Sequence, residues 1–383
     1  MAWRLKVPTF HKPMRVCITH LRHAQRGGAE RYLNYLAKGL CLRGHEVTVL
    51  CRTHGSPPHP NVKFETLRGL SLGSGFRHAS FARASARYLS RYEDQHDVVL
   101  GLGRTPLQDV LRVGGGCHET FLEAGDIRTR SMKDRTYIRL EAESLLAPEN
   151  KRVVANSHMV AEDLKLRYGL PGEKLQVIHN GVDLTRFSFG NLRAPASALR
   201  KCLGFGKDDI VFCFVGTGFA RKGLDLVLKA FSALHARDSR CHLLVVGEDS
   251  AADRYHALAR KIGCSDRVRF LGGRDDPEVC MAAANVFVLP TRYDPFANVT
   301  LEALACGLPV ITTHGNGGSE VLNDEAGTVI DHRSEASLEQ AMAGWCSGTR
   351  LQVGRQSARA IAEQHAIDQK IDQMVALLEW AAN

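Results

Sequence analysis

Short apolar runs alternate with longer amphipathic stretches along the whole chain. In the first half, "RVCITH" (15–20), "EVTVLC" (46–51), "DVVLGL" (97–102) and "RVVANS" (152–157) are β-branched and nearly continuous in apolar character. That is the pattern of strands covered on both faces. Between the first two, Tyr32, Leu33, Leu36 and Leu40 recur at helical spacing, and Gly44 closes the element. The second half repeats the scheme with strands at 209–216, 241–247, 267–272, 286–291 and 309–313, and helices at 223–235, 251–262, 276–284 and 299–306. Such alternation predicts parallel sheets with helices on both faces. The polar stretch 186–208 separates two such series, which predicts two doubly wound α/β domains. Ligands in these folds sit beyond the carboxyl ends of strands, so the cleft between the domains is the expected site.

The bulk numbers agree. At roughly 150 residues per domain, 383 residues make two. Apolar content of 44% supports a large core, and no run approaches the ~18 apolar residues of a membrane-spanning helix. The N-terminus lacks the continuous apolar core of a signal peptide, and residues 1–13 read as a flexible extension ahead of the first strand. Eleven cysteines contain no CxxC pair, and many fall inside apolar runs. They read as reduced, buried thiols of a cytoplasmic protein, with neither a disulfide frame nor a metal site. Net charge is uneven: residues 1–186 carry 29 Lys and Arg against 18 Asp and Glu, whereas residues 187–383 carry 21 against 23. The first half is thus expected to meet something anionic.

Four stretches after strands carry candidate chemistry. Gly27 and Gly28 precede a helix, where backbone N–H groups can approach an anion, although a plain turn uses glycines too. They do not form G-x-G-x-x-G, so the dinucleotide fingerprint is missing. Arg221 and Lys222 read as the start of a helix, a locally unfavourable place for cations unless a diphosphate comes in. Asp294 lies in a loop beside Pro295, and Glu302 lies early on a helix that starts near Val299. A carboxylate there can balance the helix dipole or accept a pair of sugar hydroxyls. "GNGGSE" (315–320) adds flexible backbone and Glu320. His118 follows three glycines, which implies a loop forced close to something. The segment 66–92 contains no acid and spaces Arg83, Arg87 and Arg91 at i, i+4, i+8, with Phe81, Tyr88 and Tyr92 elsewhere on the wheel. Two readings stay open: a helix lying on an anionic bilayer, or one packing its aromatic side into its own core.

Together these motifs resemble the retaining glycosyltransferases of family 4, which have the GT-B fold, two Rossmann-like domains facing across a cleft. "GGAERYLNYLAKGLCLRGHEVTVL", "VVANSHMVAEDL", "VIHNGVDLTRF", "FVGTGFARKGLDLVLKAF", "VRFLGG" and "PTRYDPFANVTLEALACGLPVITTHGNGGSE" appear in the family's order between about residues 14 and 380. "GFARKGLD", "GGGCH" and "DPFANVTLEALACGLPVITT" are most similar to the lipopolysaccharide core enzymes that move glucose from UDP-glucose to an inner-core heptose.

The resemblance implies an acceptor-binding domain at 1–186, a nucleotide-sugar domain at 187–361 and a C-terminal helix, 362–383, crossing back to the first domain. It implies that Arg221 and Lys222 bind the diphosphate and that Glu302 holds the ribose. Asp294 would contact the donor sugar. Backbone N–H groups of Ala297, Asn298 and Val299 would touch phosphate or sugar, and Gly216 and Gly272 join the donor-binding set. Gly27 and Gly28 would give the diphosphate room, and His118 would stand near the transferred sugar. Nucleotide sugar, an anionic glycolipid acceptor and the cytoplasmic face of the inner membrane are the implied partners, with no metal, resident cofactor or nucleic acid. Two positions depart from the family: Asp294 replaces the usual Glu, a reach ~1.5 Å shorter, and Thr217 stands where many members carry Arg, a charge that Arg221 can supply. The competing readings are a family 4 transferase for exopolysaccharide or a lipid-linked sugar, a sugar-nucleotide epimerase, and a nucleic-acid binder, which the lack of a nucleic-acid motif disfavours.

Overall fold

The computed structural model describes residues 13–24, 27–69, 73–330 and 334–383. Residues 1–12 of the expected extension lie outside this range. The first unit contains β1 (Arg15–Thr19), α1 (Gly28–Leu42), β2 (Glu46–Cys51), β3 (Val62–Thr66), α2 (Gly73–Arg91), β4 (Val98–Gly101), β5 (Val110–Val113), α3 (His118–Ala124), α4 (Met132–Leu145), β6 (Arg152–Ala155), α5 (His158–Tyr168) and β7 (Leu175–Val177). The second begins with α6 (Phe189–Cys202) and β8 (Ile210–Val215), then α7 (Phe219–Lys222), α8 (Leu224–His235), β9 (Cys241–Val246), α9 (Ala252–Lys261), β10 (Val268–Phe270), α10 (Pro277–Ala282), β11 (Val286–Leu289), α11 (Asn298–Ala305), β12 (Val310–Thr313) and β13 (Gly327–Ile330). Helices α12 (Glu335–Gly344), α13 (Gly348–Gln364) and α14 (Ile367–Ala382) close the chain.

Both sheets are parallel throughout. Their strand orders are β3-β2-β1-β4-β5-β6-β7 and β10-β9-β8-β11-β12-β13. Strand order reverses at β1/β4 in one and at β8/β11 in the other, and those reversals are where open α/β sheets leave a crevice for ligands. The predicted strands all form. The four additional ones are explained by their composition: β3, β7 and β13 are half-buried edge strands, and β5 carries Arg112 inside its apolar run. The separator expected at 186–208 contains α6, which packs Phe189, Leu192 and Leu199 around the buried Ala196, Ala282 and Ala283.

The larger core belongs to the second sheet and its helices. The first sheet's core includes Leu33, Leu36 and Leu40 of α1 packed with Ile371, Met374 and Leu378 of α14. Each such side chain contributes about 1.5–3 kcal/mol when fully buried. The chain therefore crosses between units twice, and the crossings are laced together: Val182 N–H donates to the His365 carbonyl and Ile367 N–H to the Val182 carbonyl, both at 2.9 Å. All eleven cysteines are free thiols, mostly buried.

Candidate active site

The reversal at β8/β11 brings Lys222 and Asp294 together. Lys222 Nζ lies 3.2 Å and Arg221 Nη1 3.0 Å from Asp294 Oδ2, and Arg221 also donates to the Tyr293 carbonyl at 2.8 Å. The Lys222 stem runs over Gly216, where a Cβ would stand 2.5 Å from Lys222 Cδ. Burial pushes the Asp294 carboxyl up, but the Lys222 and Arg221 charges outweigh it and hold it below the usual carboxylate range. The sequence argument for an incoming anion changes accordingly. Arg221 and Lys222 end the single turn α7, and Gly223, the N-cap of α8, places them directly before the start of that longer helix. Asp294 provides their counter-charge.

Asn316 organises the adjoining loop. It is fully buried, its Oδ1 accepts from Ala297 N–H at 3.1 Å and Gly318 N–H at 2.9 Å, and its Nδ2 donates to the Thr300 and Thr312 hydroxyls. The expectation that Ala297 N–H meets phosphate is corrected by this bond, which already occupies it. Asn298 and Val299, the first residues of α11, retain the helix N-terminus for a ligand. The flexible backbone expected at 315–320 is instead a 3-10 turn, Gly317–Val321. Glu320 reaches across to the first unit, accepting from His158 and Met159 N–H at 2.7 Å and pairing with His179 at 3.1 Å. His158, His179 and Glu320 thus bring ligating atoms within 4.8 Å of one another, a grouping that sequence spacing did not reveal.

Glu302 is buried on α11 and meets Arg31 of α1 at 2.9 Å. Burial pushes its carboxyl up, opposed by the charges of Arg31 and Arg186. Arg31, Asn180, Asn298 and Glu302 line one small recess between the units. Asn180 Nδ2 donates to Asn298 Oδ1 at 2.6 Å, and Arg112 Nη2 donates to Asn180 Oδ1 at 2.5 Å. Gly28 faces this contact, since a Cβ there would lie 3.4 Å from Asn298 Nδ2. Gly27 needs its glycine: φ is +113°, and a Cβ would strike the Glu30 carboxylate. Gly272 borders open space but also has a left-handed φ of +64°, and its carbonyl accepts from Gly247 N–H at 2.8 Å.

His118 is the first residue of α3 rather than a loop residue. Its Nε2 lies 2.9 Å from Asp134 Oδ1. Hydrogen bonds from Ser131 and then His118 hold the Asp134 carboxyl down to about 2, so the ionised acid accepts and His118 Nε2–H donates. The His118 tautomer that carries its proton on Nε2 has Nδ1 as its acceptor. The glycines before it are forced close to Tyr293. Gly116 has φ +67°, a Cβ on it would stand 2.1 Å from Tyr293 Oη, and Cys117 N–H donates to that oxygen at 3.2 Å. Helix α2 packs Phe81 and Leu89 into the first unit, leaves Tyr88 and Tyr92 half-buried and exposes Arg83, Arg87 and Arg91.

Two family models match the chain, Glycosyltransferase Family 4 over residues 26–186 and Glycosyl transferases group 1 over residues 196–363. Among curated relatives, lipopolysaccharide glucosyltransferase WaaG of Escherichia coli K12 is 27% identical, covering 79% of this chain and 82% of its own. A probable transglycosylase of Burkholderia thailandensis is 28% identical, covering 93% and 94%. The chain spans about half the length of a D-inositol 3-phosphate glycosyltransferase of Catenulispora acidiphila, at 31% identity and 50% coverage of that protein. The crystal structure of WaaG superposes with a TM-score of 0.81 at 22% identity, over 95% of this chain and 99% of that one. A structure of Anabaena HepE with UDP and glucose gives 0.72 at 21% identity, over 95% and 98%. The fold is GT-B.

Proposed function

Because the chain belongs to the glycosyltransferases, with the Family 4 model over residues 26–186 and the group 1 model over residues 196–363, we propose that it moves glucose from UDP-glucose to a heptose of the lipopolysaccharide inner core, with retention of anomeric configuration. The observation that carries this reading is the Arg221–Lys222–Asp294 cluster at the strand reversal, with Gly28 and Arg31 of the first unit meeting Asn298 and Glu302 of α11. Breaking the anomeric C–O bond builds negative charge on the departing diphosphate. Two cations already fixed in place stabilise that charge without reorganising. In this reading the diphosphate shares Arg221 and Lys222 with Asp294 and is met by the N–H groups of Asn298 and Val299. Glu302 accepts the ribose hydroxyls, and His118 offers Nδ1 toward the sugar. Fixed cations do the work that a divalent ion does elsewhere, so turnover in EDTA is expected to match turnover without it.

The acceptor chemistry draws support from the basic first half and from the lipopolysaccharide glucosyltransferase relative. The protein works against the anionic cytoplasmic face of the inner membrane, through the arginine face of α2 rather than by inserting its apolar side. Phe76 and Met132, 65% and 75% exposed, flank the close approach of Gly75 to Lys133 and add an apolar contact there. No helix among the described residues is long and apolar enough to cross a membrane.

Incubating the chain with UDP-glucose, UDP-galactose, UDP-N-acetylglucosamine and GDP-mannose tests the donor. UDP-glucose is expected to give the largest thermal shift and the fastest hydrolysis. Preference for GDP-mannose would overturn the assignment.

A further inference from the structure

His158 and His179 of the first unit and Glu320 of the second converge where the two units press together. A Cβ on Gly317, in the same turn as Glu320, would stand 2.6 Å from Ser157 Oγ, the residue before His158. Glu320 Oε1 accepts from Met159 N–H and Oε2 from His158 N–H, both at 2.7 Å. The N-terminus of α5 thus aims the carboxylate and still leaves a lone pair on each oxygen. His179 Nε2 lies 3.1 Å from Oε2, and its ring sits beside Phe296 and His365, with centroids at 5.6 and 5.7 Å. The exposed His158 ring stands edge-on to His179 at 5.8 Å.

One ligating atom from each of the three residues lies within 4.8 Å of the other two. Nitrogen and oxygen ligands of a tetrahedral ion, at 2.0–2.2 Å from it, stand about 3.3–3.6 Å from one another. The His179–Glu320 edge already approaches that spacing, and a turn of the exposed His158 ring supplies the third corner. Two imidazoles and a carboxylate suit zinc and its neighbours, whereas magnesium and calcium favour oxygen throughout. The open side leaves the fourth position to water.

We propose that His158, His179 and Glu320 form a site for one divalent transition ion of the zinc class, which pins the two units in the arrangement seen here. His179 Nε2 gives up its proton, to Nδ1 or to solvent, and the ion replaces its hydrogen bond to Oε2. Asn316, which organises the loop before α11, caps the turn that carries Glu320, so the ion also fixes that loop. Substrates enter and leave such a cleft by opening it, and product release often limits turnover. The bound ion is therefore a brake on transfer and takes no part in the chemistry, so turnover in EDTA is unaffected where no zinc is added. The brake rests on the glycosyltransferase reading above; the ion site does not.

Among the described residues one other grouping offers three ligands, Asp238 with Cys241 and Cys346. The test therefore uses the full chain carrying Cys346→Ser as parent, stripped with EDTA and titrated with zinc chloride by calorimetry. His158→Ala and His179→Ala are compared in that background; the exposed His158 can be replaced without disturbing packing. The parent is expected to take one ion per chain, and each variant to bind at least ~tenfold more weakly, the lower end of what losing even an outer-shell partner costs. Zinc should raise the parent's thermal midpoint and slow amide exchange at Val182 and Ile367, where the chain crosses between units, at least tenfold. It should do neither in His158→Ala. Zinc held as tightly by both variants as by the parent would overturn the site, and so would an equal response to magnesium chloride. Zinc that binds through these residues without slowing exchange at Val182 and Ile367 would overturn the pinning of the units. Zinc should also lower UDP-glucose turnover severalfold in the parent and leave it unchanged in His158→Ala. A chain that shows the binding and exchange responses but turns over no UDP-glucose supports the ion site and removes the donor reading alone.

Discussion

Arg31 of α1 and Glu302 of α11 form a 2.9 Å ion pair that joins the two Rossmann-like units beside the strand reversals. Arg31 restrains the upward push that burial exerts on the Glu302 carboxyl. A carboxyl raised in the folded chain adds stability at pH below its unfolded value, and that contribution is lost as pH rises through the raised value. Removing Arg31 widens this window. For Arg31→Ala, the acid limb of the pH profile of donor kcat/KM is expected to move to higher pH, because protonated Glu302 is a poorer acceptor of ribose hydroxyls. Profiles from pH 5 to 8 check this, and superimposable acid limbs would contradict it.

Lys222→Ala is expected to lower kcat by at least ~100-fold, the scale of losing one charge-stabilising donor. Asp294 is the opposite electrostatic case from Glu302. Its carboxyl is held below the usual range by Lys222 and Arg221. Its ion pairs therefore persist above the ordinary carboxylate pKa of about 3.9 and fail only as pH drops through the lowered value. In Lys222→Ala the acid unfolding midpoint should move upward, read by circular dichroism against pH. Near-wild-type kcat would remove Lys222 from the charge-stabilising role.

Asp134→Asn tests whether His118 needs its partner. The Asp134 carboxylate, held near 2, fixes the ring through Nε2–H. Asparagine can present its N–H₂ to that nitrogen and let the ring change tautomer or turn. The expected result is a kcat at least tenfold lower with donor KM within twofold, and glutamate at the same position restoring part of the loss. Equal changes in kcat and KM would make Asp134 a binding or folding residue instead.

Gly116→Ala should destabilise the chain. The left-handed backbone costs a side chain about 1–2 kcal/mol, and the new methyl would meet Tyr293 Oη. Urea denaturation is expected to show the loss, and Tyr293→Phe in the same chain to recover the part due to the clash. A wild-type midpoint for Gly116→Ala would mean that the loop moves freely.

Pelleting with vesicles tests the arginine face of α2. Binding to phosphatidylglycerol vesicles should exceed binding to phosphatidylcholine and fall between 50 and 500 mM salt, conditions that shorten the Debye length to several ångström. Replacing Arg83, Arg87 and Arg91 together by Gln should abolish the preference. A preference that survives the triple replacement would move the contact elsewhere.

The doubly wound architecture was legible because buried parallel strands write long β-branched runs, such as the β8 segment "IVFCFV". The edge strands β3, β7 and β13 write no such run, and β5 hides behind the buried Arg112. The candidate site was legible where chemistry follows a strand closely, as with Lys222 after β8 and Asp294 after β11, and Glu302 through its place on the next helix. Partners distant in sequence were not. Nothing local to Arg31 announces Glu302, and nothing in "GGGCH" announces Tyr293, because both contacts exist only once the two units meet. The two cations do stand directly before a helix, α8, but no local signal announced that Asp294, some seventy residues on, supplies their counter-charge.

Helix α14 gives the chain an order of assembly. The apolar face of α1 formed by Leu33, Leu36 and Leu40 is completed by Ile371, Met374 and Leu378, residues translated after the whole second sheet. The first unit thus leaves the ribosome with an open seam and cannot close it until the entire second unit has followed. The first unit reaches its final packing only in a molecule that already possesses the second, so no chain interrupted before α14 displays a finished first unit on its own.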